Sequence, residues 1–170
     1  MKQEQLYSLW LMPSGRLYNQ LQSLISQLNK PYSIPVFQPH VTLVGSLSGP
    51  VETIIAQSTQ LASLLKPYEI ILQRVGYLNE YYRCLFVHVE PTESVMDAYK
   101  NAQGILNLPN KHYMPHLSIM YGSLPLNTKQ KIIATIGQEF NIVFLASELH
   151  LFSTTGTPDN WFPVASFPFK

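Results

Sequence analysis

The chain has 170 residues, of which 46% are hydrophobic and 12% are charged, and its formal net charge is +1. This length fits one domain, or one domain built from two similar lobes, and the apolar fraction is sufficient for a substantial core. Lysine and arginine residues are scattered along the chain instead of clustered. Composition therefore argues against an extended nucleic acid as the partner, because proteins that follow a nucleic-acid backbone usually present a basic face.

Cysteine content and the N-terminal sequence exclude further classes of protein. Cys84 is the only cysteine, so an internal disulfide is impossible and a cysteine-rich zinc site is excluded. The apolar run at residues 6–11 is too short to span a bilayer and lacks a small-residue cleavage site. We therefore expect a cytoplasmic protein that does not associate with membranes.

The first half of the chain alternates strand and helix patterns. Large apolar residues stop at a Pro-Ser-Gly turn, after which leucine and isoleucine recur at the spacing of an amphipathic helix. Pro50 then opens a second helix, because proline is favoured at a helix start. The elements predicted here are a strand at 6–12, a helix at 17–28, a strand ending at 45–46 and a helix at 51–65.

The second half predicts a hairpin, two further helices and three more strands. The hairpin loop, residues 76–82, is longer than the tight two-residue type. Thr128 is the predicted N-cap of the last helix, since its hydroxyl can accept a hydrogen bond from the first helical turn. The predicted elements are strands at 69–75 and 83–89, a helix from 91–93 to 105, a strand ending at 121, a helix from 128 to about 137, a long strand at 142–152 and a final strand at 161–167.

Two five-residue motifs share one pattern. Residues 39–43 read PHVTL and residues 115–119 read PHLSI, so each motif places a hydroxyl two positions after a histidine. Side chains at positions i and i+2 of a strand project from the same face. Each motif therefore predicts an imidazole and a hydroxyl side by side, and each proline suits the first position of a strand, where a missing N–H is tolerated. The alternate residues are predicted to point into the core: Val41, Leu43, Leu117 and Ile119.

Duplication of the motif favours function over packing, although a lone His-x-Thr on a strand is more often packing. The other three histidines are followed two positions later by Glu90, Met114 and Phe152, so none of them has the hydroxyl. The motifs lie 76 residues apart (116 − 40), close to half of the chain. Since both motif strands follow one helix and precede another, we predict one α+β domain over residues 1–170, with two lobes related by a pseudo-twofold axis.

Paired imidazoles and hydroxyls suit attack on a phosphate ester. One histidine would activate the nucleophile, the other would protonate the leaving oxygen, and the hydroxyls would bind the non-bridging oxygens. The predicted catalytic residues are therefore His40, Thr42, His116 and Ser118. Sequence alone leaves open which histidine is the acid and which is the base. No carboxylate or third histidine has motif-like spacing, so no metal site is predicted.

The motifs and their surroundings resemble the 2H phosphoesterase superfamily, and more narrowly its cyclic phosphodiesterase branch of small plant- and yeast-type enzymes. The matching stretches are YSLWLMP at 7–13, FQPHVTLVGS at 37–46, YRCLF at 82–86 and YMPHLSIMY at 113–121. The resemblance implies a bilobal α+β fold in which two antiparallel sheets line a central cleft with helices outside. By position, the four predicted catalytic residues match the family's catalytic quartet, and Tyr121 resembles its aromatic hydroxyl near the phosphate.

The same resemblance implies the reaction and the substrate class. It implies hydrolysis of small cyclic phosphates without a metal or another cofactor. Nucleoside 2′,3′-cyclic phosphates would open to the 2′-phosphate, and ADP-ribose 1″,2″-cyclic phosphate would open to the 1″-phosphate. The expected partner is therefore a small cyclic-phosphate nucleotide, bound by a monomer.

Several further residues are candidates for substrate binding. Phe37, Tyr82 and Trp161 would stack on a base or sugar, although aromatic residues beside strands usually pack in the core. Tyr121 lies three positions after Ser118, so it points away from the motif face unless the strand bends. Arg83 would either meet a phosphate or remain a solvated charge at the edge of its strand.

Alternative functions remain at this point. One is an RNA-processing member of the same superfamily that acts on RNA ends or 2′-5′ linkages, which would require a basic groove that composition does not indicate. Another is a binding module that holds a nucleotide phosphate without turning it over. Intact histidines and hydroxyls in both halves argue against that module, because loss of either histidine would cripple turnover. A two-histidine metal site is a third alternative.

Overall fold

The computed structural model describes residues 4–170, which form eight strands and four α-helices. The strands are β1 Leu6–Leu11, β2 Val41–Ser48, β3 Tyr68–Gly76, β4 Leu85–Val89, β5 His116–Met120, β6 Glu139–Ala146, β7 Glu148–Ser153 and β8 Phe162–Pro168. The helices are α1 Gly15–Asn29, α2 Val51–Leu64, α3 Glu93–Ile105 and α4 Leu126–Ile136. Short 3-10 turns lie at Lys30–Tyr32, Tyr81–Arg83 and Pro158–Asn160. The predicted α+β class is confirmed.

The strands form one continuous antiparallel sheet in the order β6-β3-β4-β5-β2-β1-β7-β8. Its two four-stranded halves meet where β2 lies beside β5, with Val41 opposite Leu117. The two sheets that the resemblance implied are therefore two halves of one sheet, because the edges of the two motif strands pair with each other. The order is symmetric about this seam, since β1-α1-β2 and β4-α3-β5 each join neighbouring strands through a helix.

Two sequence-based boundaries are wrong. The long strand predicted at 142–152 is two strands, β6 and β7, because β6 pairs with β3 in one half of the sheet while β7 pairs with β1 in the other. The chain crosses between the halves at Ser147 without a glycine or proline to mark the break. The last helix begins at Leu126 and not at Thr128, since the carbonyl of Pro125 already accepts hydrogen bonds from the N–H groups of Thr128 and Lys129.

The motif strands separate the core from the site. Val41, Leu43, Leu117 and Ile119 are at most 1% exposed, as predicted, and they face the helices. The buried Asn29 of α1 donates from Nδ2 to the carbonyl of Ile119 over 2.9 Å, which ties that helix to β5. Strand alternation therefore places the histidines and hydroxyls on the opposite face of the sheet. None of the helices formed by residues 4–170 has the length and apolar character needed to cross a bilayer.

Candidate active site

A cavity of about 330 Å³ lies on this opposite face, at the seam between the two halves of the sheet. It is lined by all four predicted catalytic residues: His40, Thr42, His116 and Ser118. His40 lies directly before β2, and His116 is the first residue of β5. Two segments that are distant in sequence thus contribute one imidazole and one hydroxyl each to a single cavity.

Both imidazoles are oriented by the same backbone contact. The Nδ1 atom of His40 lies 2.6 Å from the carbonyl oxygen of Gln38, and the Nδ1 atom of His116 lies 2.8 Å from that of Met114. A carbonyl oxygen can only accept, so Nδ1 carries the hydrogen in each ring. Each acceptor is two residues before its histidine, and a buried proline lies between them. This arrangement leaves Nε2 as the nitrogen available for proton transfer.

Burial lowers the pKa of both histidines. The pKa of His40 falls to about 4, mainly through burial and also through the nearby His116, although the bond to Gln38 acts in the opposite direction. Burial also lowers the pKa of His116 below its usual value. Nearby Arg83 and His88 add to that effect. The shallower His116 keeps more solvent contact than His40, which is 5% exposed.

Aromatic packing fixes the plane of the His40 ring. The ring stacks on Trp10 with a centroid separation of 3.6 Å and an angle of 10° between the planes. Trp10 stacks in turn on Phe152 at 4.0 Å. Because Trp10 is opposite Thr42 in the β1–β2 register, it occupies the same face as the motif side chains. His40 is therefore held by a stacked ring and a backbone acceptor together.

The two hydroxyls of the motifs have different surroundings. The Oγ of Ser118 donates to the backbone carbonyl of Tyr82 over 2.8 Å. This bond joins β5 to the 3-10 turn that precedes β4. The backbone carbonyl of Thr42 accepts a hydrogen bond from the Tyr113 hydroxyl at 2.9 Å, while its side chain lines the cavity. Ser118 must therefore rotate before its hydroxyl can donate to a ligand.

Residues 6–165 match the family model described as cyclic phosphodiesterase-like protein. The chain belongs to this family. A curated relative, the cyclic phosphodiesterase of Arabidopsis thaliana, is 27% identical over 125 residues, which are 73% of this chain and 69% of that protein. These matches confirm the predicted branch of the 2H phosphoesterase superfamily, and they make the protein a cyclic nucleotide phosphodiesterase that hydrolyses phosphoric diesters.

Solved structures share the fold of this cyclic phosphodiesterase. The crystal structure of E. coli LigT in apo form has a TM-score of 0.72 and 14% sequence identity, and the match covers 99% of each chain. A crystal structure of E. coli LigT complexed with 3′-AMP has a TM-score of 0.69 and 13% identity, covering 98% of this chain and 99% of that one.

Three of the four predicted aromatic residues line the cavity of this cyclic phosphodiesterase. Tyr82, Tyr121 and Trp161 lie close together, with Tyr82 edge-on to Tyr121 at 5.1 Å. Tyr121 follows the end of β5, where the chain leaves strand geometry, and burial raises the pKa of its phenol so that it remains a donor. Phe37 does not line this cavity. It packs behind the wall, stacked on Tyr121 at 3.7 Å and edge-on to His40.

Sequence reasoning did not identify six other residues of the cavity wall, namely Leu6, Ser8, Trp10, Gly45, Ser46 and Thr154. Ser8 and Trp10 are at positions i and i+2 of β1, and a serine within that apolar strand is an available signal. Ser8 lies 3.1 Å from Thr154, hydroxyl to hydroxyl. Ser46 adopts a φ of 57° where β2 carries one extra residue relative to β1, a strained bulge of the kind that often borders functional sites.

The donor set of the cavity consists of imidazoles, hydroxyls and indole rings. Within residues 4–170, its wall includes no Lys, Arg, Asp or Glu side chain. In the same part of the chain, no group of three or more His, Cys, Asp or Glu side chains is placed to hold a metal ion. Arg83 lies outside the cavity and donates from Nε to Glu80 over 2.8 Å. An anionic ligand would therefore be bound by neutral donors and by whichever histidine is protonated.

A buried lysine positions the loop that carries Tyr82. Lys129 of α4 is 2% exposed, and its Nζ donates to the carbonyl of Leu78 at 2.8 Å and to Asn79 Oδ1 at 3.3 Å. Lys129→Met keeps the length of the side chain but leaves these acceptors unpaired. We expect it to lower the free energy of unfolding by about 1–2 kcal/mol and to raise KM more than it lowers kcat.

Chemical denaturation and steady-state kinetics measure these two effects of Lys129→Met. Lys131→Met, an exposed position on the same helix, is the matched control and should change neither quantity. If Lys129→Met leaves both the unfolding free energy and KM at their original values, Lys129 does not position the loop.

Proposed function

We propose that this cavity hydrolyses small cyclic phosphates by two-histidine acid–base catalysis, with residues 1–170 acting as one bilobal domain. The substrates would be nucleoside 2′,3′-cyclic phosphates, opened to the 2′-phosphate, and ADP-ribose 1″,2″-cyclic phosphate, opened to the 1″-phosphate. One observation carries the proposal: His40 and His116 line one cavity, and each has Nδ1 committed to a backbone carbonyl, so that Nε2 is available. The complex of E. coli LigT with 3′-AMP supports a small nucleotide as the ligand.

His40 is the general base and His116 the general acid in this proposal. The pKa of His40 is about 4, so its Nε2 is unprotonated over most of the pH range and can accept a proton from water. His116 is less deeply buried than His40, and it is assigned the protonated form in this proposal. The water oxygen bonds to phosphorus, the bond to the ribose 3′-oxygen breaks, and His116 donates its Nε2 proton to that oxygen. The bond between phosphorus and the ribose 2′-oxygen remains, so the product is the 2′-phosphate.

The remaining wall residues bind the substrate. Thr42 and Ser118 donate to the non-bridging phosphoryl oxygens, where charge increases as water attacks. Tyr121 is a third donor, since its phenol stays protonated. Tyr82 and Trp161 line the cavity and offer ring faces for stacking, and stacking on an aromatic residue tolerates any base.

Catalysis by these two histidines predicts an acidic pH optimum. The active form of the free enzyme has His40 neutral and His116 protonated, so kcat/KM should be bell-shaped with its maximum between about pH 4 and pH 6.5. A bound phosphate anion favours imidazolium and raises both pKa values, so the profile of kcat should lie at higher pH than that of kcat/KM. Initial rates measured from pH 3.5 to 9 on adenosine 2′,3′-cyclic phosphate would check this. Flat profiles would contradict it.

Phosphorus NMR of the reaction in ¹⁸O-labelled water tests the proposed function directly. Purified full-length protein is expected to convert adenosine 2′,3′-cyclic phosphate to the 2′-phosphate, with one ¹⁸O on phosphorus. Turnover of an RNA oligomer with a 2′,3′-cyclic end, but of no mononucleotide, would instead support the RNA-end alternative. Tight binding of the cyclic phosphates without any product would support a binding module and overturn the proposal.

A further inference from the structure

A second cavity of about 380 Å³ adjoins the first. Both cavities are lined by Thr42, Gly45, Ser46 and His116, so they share the part of their wall that these four residues form. A phosphate at His116 therefore adjoins both cavities. Tyr82, Tyr121 and Trp161 line the first cavity alone.

The two cavities differ in charge. The first is lined by the two histidines with hydroxyl, aromatic and apolar residues, whereas the second has Arg83, Lys111 and His112 on a wall that is otherwise mostly apolar. We call this second cavity the cationic groove. It lies on a protein whose net charge is only +1, so its charge is a local feature and not a consequence of composition.

The segment that carries Lys111 and His112 is anchored at both ends. At one end, Gln103 of α3 donates from Nε2 to the carbonyl of Pro109 over 3.2 Å. At the other end, Tyr113 stacks on Tyr99 of α3 at 4.2 Å and donates from its hydroxyl to the carbonyl of Thr42. The two exposed side chains are thus displayed over the groove on a fixed backbone.

Lys111 is the charge most available to a ligand. Arg83 is already paired with Glu80, which offsets much of its charge. Among residues 4–170, no carboxylate forms an ion pair with Lys111. An anion in the groove would therefore meet the Lys111 ammonium, the His112 imidazole and the Arg83 guanidinium that Glu80 already pairs.

We propose that the cationic groove binds a second phosphate, attached at the 5′ position of the ribose whose cyclic phosphate lies at the histidines. This inference rests on the proposed function. In a nucleoside 2′,3′-cyclic phosphate the base is attached to C1′ and the 5′ carbon to C4′, on either side of the cyclic phosphate. A base stacked on Tyr82 or Trp161 would therefore leave the 5′ carbon free to face the groove. Two classes of substrate carry a phosphate at this position. One is a nucleotide with a 5′-phosphate or 5′-phosphodiester, as at an RNA end. The other is ADP-ribose 1″,2″-cyclic phosphate, whose cyclised ribose carries a 5″-diphosphate.

The test compares kcat/KM for adenosine 2′,3′-cyclic phosphate with and without a 5′-phosphate. We expect the wild-type enzyme to prefer the 5′-phosphorylated form about tenfold, as one or two charge-assisted contacts would provide. Lys111→Gln should reduce this preference about two- to fivefold, and the Lys111→Gln, His112→Gln double variant further. Raising the salt concentration should reduce the wild-type preference, since the contacts are exposed. Arg83 is left unchanged, because its loss would expose the unpaired Glu80.

Lys131→Gln, which removes an exposed lysine of α4, is the matched control and should keep the full preference. Thermal unfolding confirms that each variant is folded. The two classes of substrate are separated by measuring kcat/KM for ADP-ribose 1″,2″-cyclic phosphate and for a short RNA oligomer that ends in a 2′,3′-cyclic phosphate, each with the wild type and with Lys111→Gln. The substrate whose kcat/KM falls more in Lys111→Gln is assigned to the groove.

Failure of this inference is distinguishable from failure of the proposed function. Turnover of both adenosine substrates at equal kcat/KM, or a preference that Lys111→Gln leaves unchanged, would overturn the cationic groove as a phosphate site. The assignment of His40 and His116 would then still stand. Absence of turnover with every cyclic phosphate would overturn the proposed function itself.

Discussion

Replacing His116 by alanine is expected to reduce kcat by about 10²–10⁴-fold, and replacing His40 should have an effect of the same size. Each substitution removes one proton transfer, and the remaining histidine cannot serve as acid and base in the same step. Both variants should stay folded, because each ring contributes one bond to a neighbouring backbone carbonyl and the core side chains lie on the other face of the sheet. Steady-state kinetics with thermal unfolding measure both quantities.

The choice of substrate separates the roles of the two histidines. A phosphodiester with a 4-nitrophenolate leaving group needs no proton from a general acid. We therefore expect His116→Ala to retain most of its activity on such a diester, whereas His40→Ala should remain impaired on both substrates. The opposite pattern would exchange the roles of His40 and His116. A bell-shaped pH profile alone cannot make this distinction, because both assignments require one neutral and one protonated ring.

His150→Ala is the matched control for these variants. His150 is a half-buried histidine of β7 whose Nε2 lies 3.6 Å from Glu148. It has no hydroxyl two positions later, so its replacement should leave kcat on the cyclic phosphate unchanged. Wild-type rates in either His40→Ala or His116→Ala would contradict two-histidine catalysis.

Removing a motif hydroxyl is expected to have the second largest effect, about 10²-fold in kcat for Thr42→Val or Ser118→Ala. Both hydroxyls would donate to phosphoryl oxygens whose charge increases in the transition state. Thr42→Val keeps the shape of the side chain and should therefore act mainly on kcat. Ser118→Ala also removes the bond to the Tyr82 carbonyl, so we expect it to raise KM as well.

Kinetics on adenosine 2′,3′-cyclic phosphate distinguish these two effects. Thr135→Val, at an exposed threonine of α4 that donates to the carbonyl of Lys131, is the control and should leave both constants unchanged. If Ser118→Ala raises KM while kcat stays at the wild-type value, Ser118 positions the Tyr82 loop and does not contact the reacting phosphate.

Local sequence patterns were sufficient to select the four motif residues that share the cavity and to locate most of the elements. Strand alternation depends only on neighbouring residues, so it correctly separated Val41 and Leu117, which are buried in the core, from the four residues that share the cavity. Helical periodicity likewise located the helices to within a few residues. The duplication of the motif indicated two equivalent contributions to one site, and the order of the sheet is symmetric about the strands that carry them.

Tertiary structure alone decided which strands are neighbours and therefore which other side chains reach the site. Ser8 and Trp10 line the cavity because β1 pairs with β2, and Thr154 does so because β7 pairs with β1. Tertiary contacts also decide that the chain passes between the two halves of the sheet at Ser147 and that Lys129 is buried. Strand pairing depends on contacts between residues far apart in the chain, and no local pattern encodes them. The same holds for the pKa of His40, which depends on burial by elements that are distant in sequence.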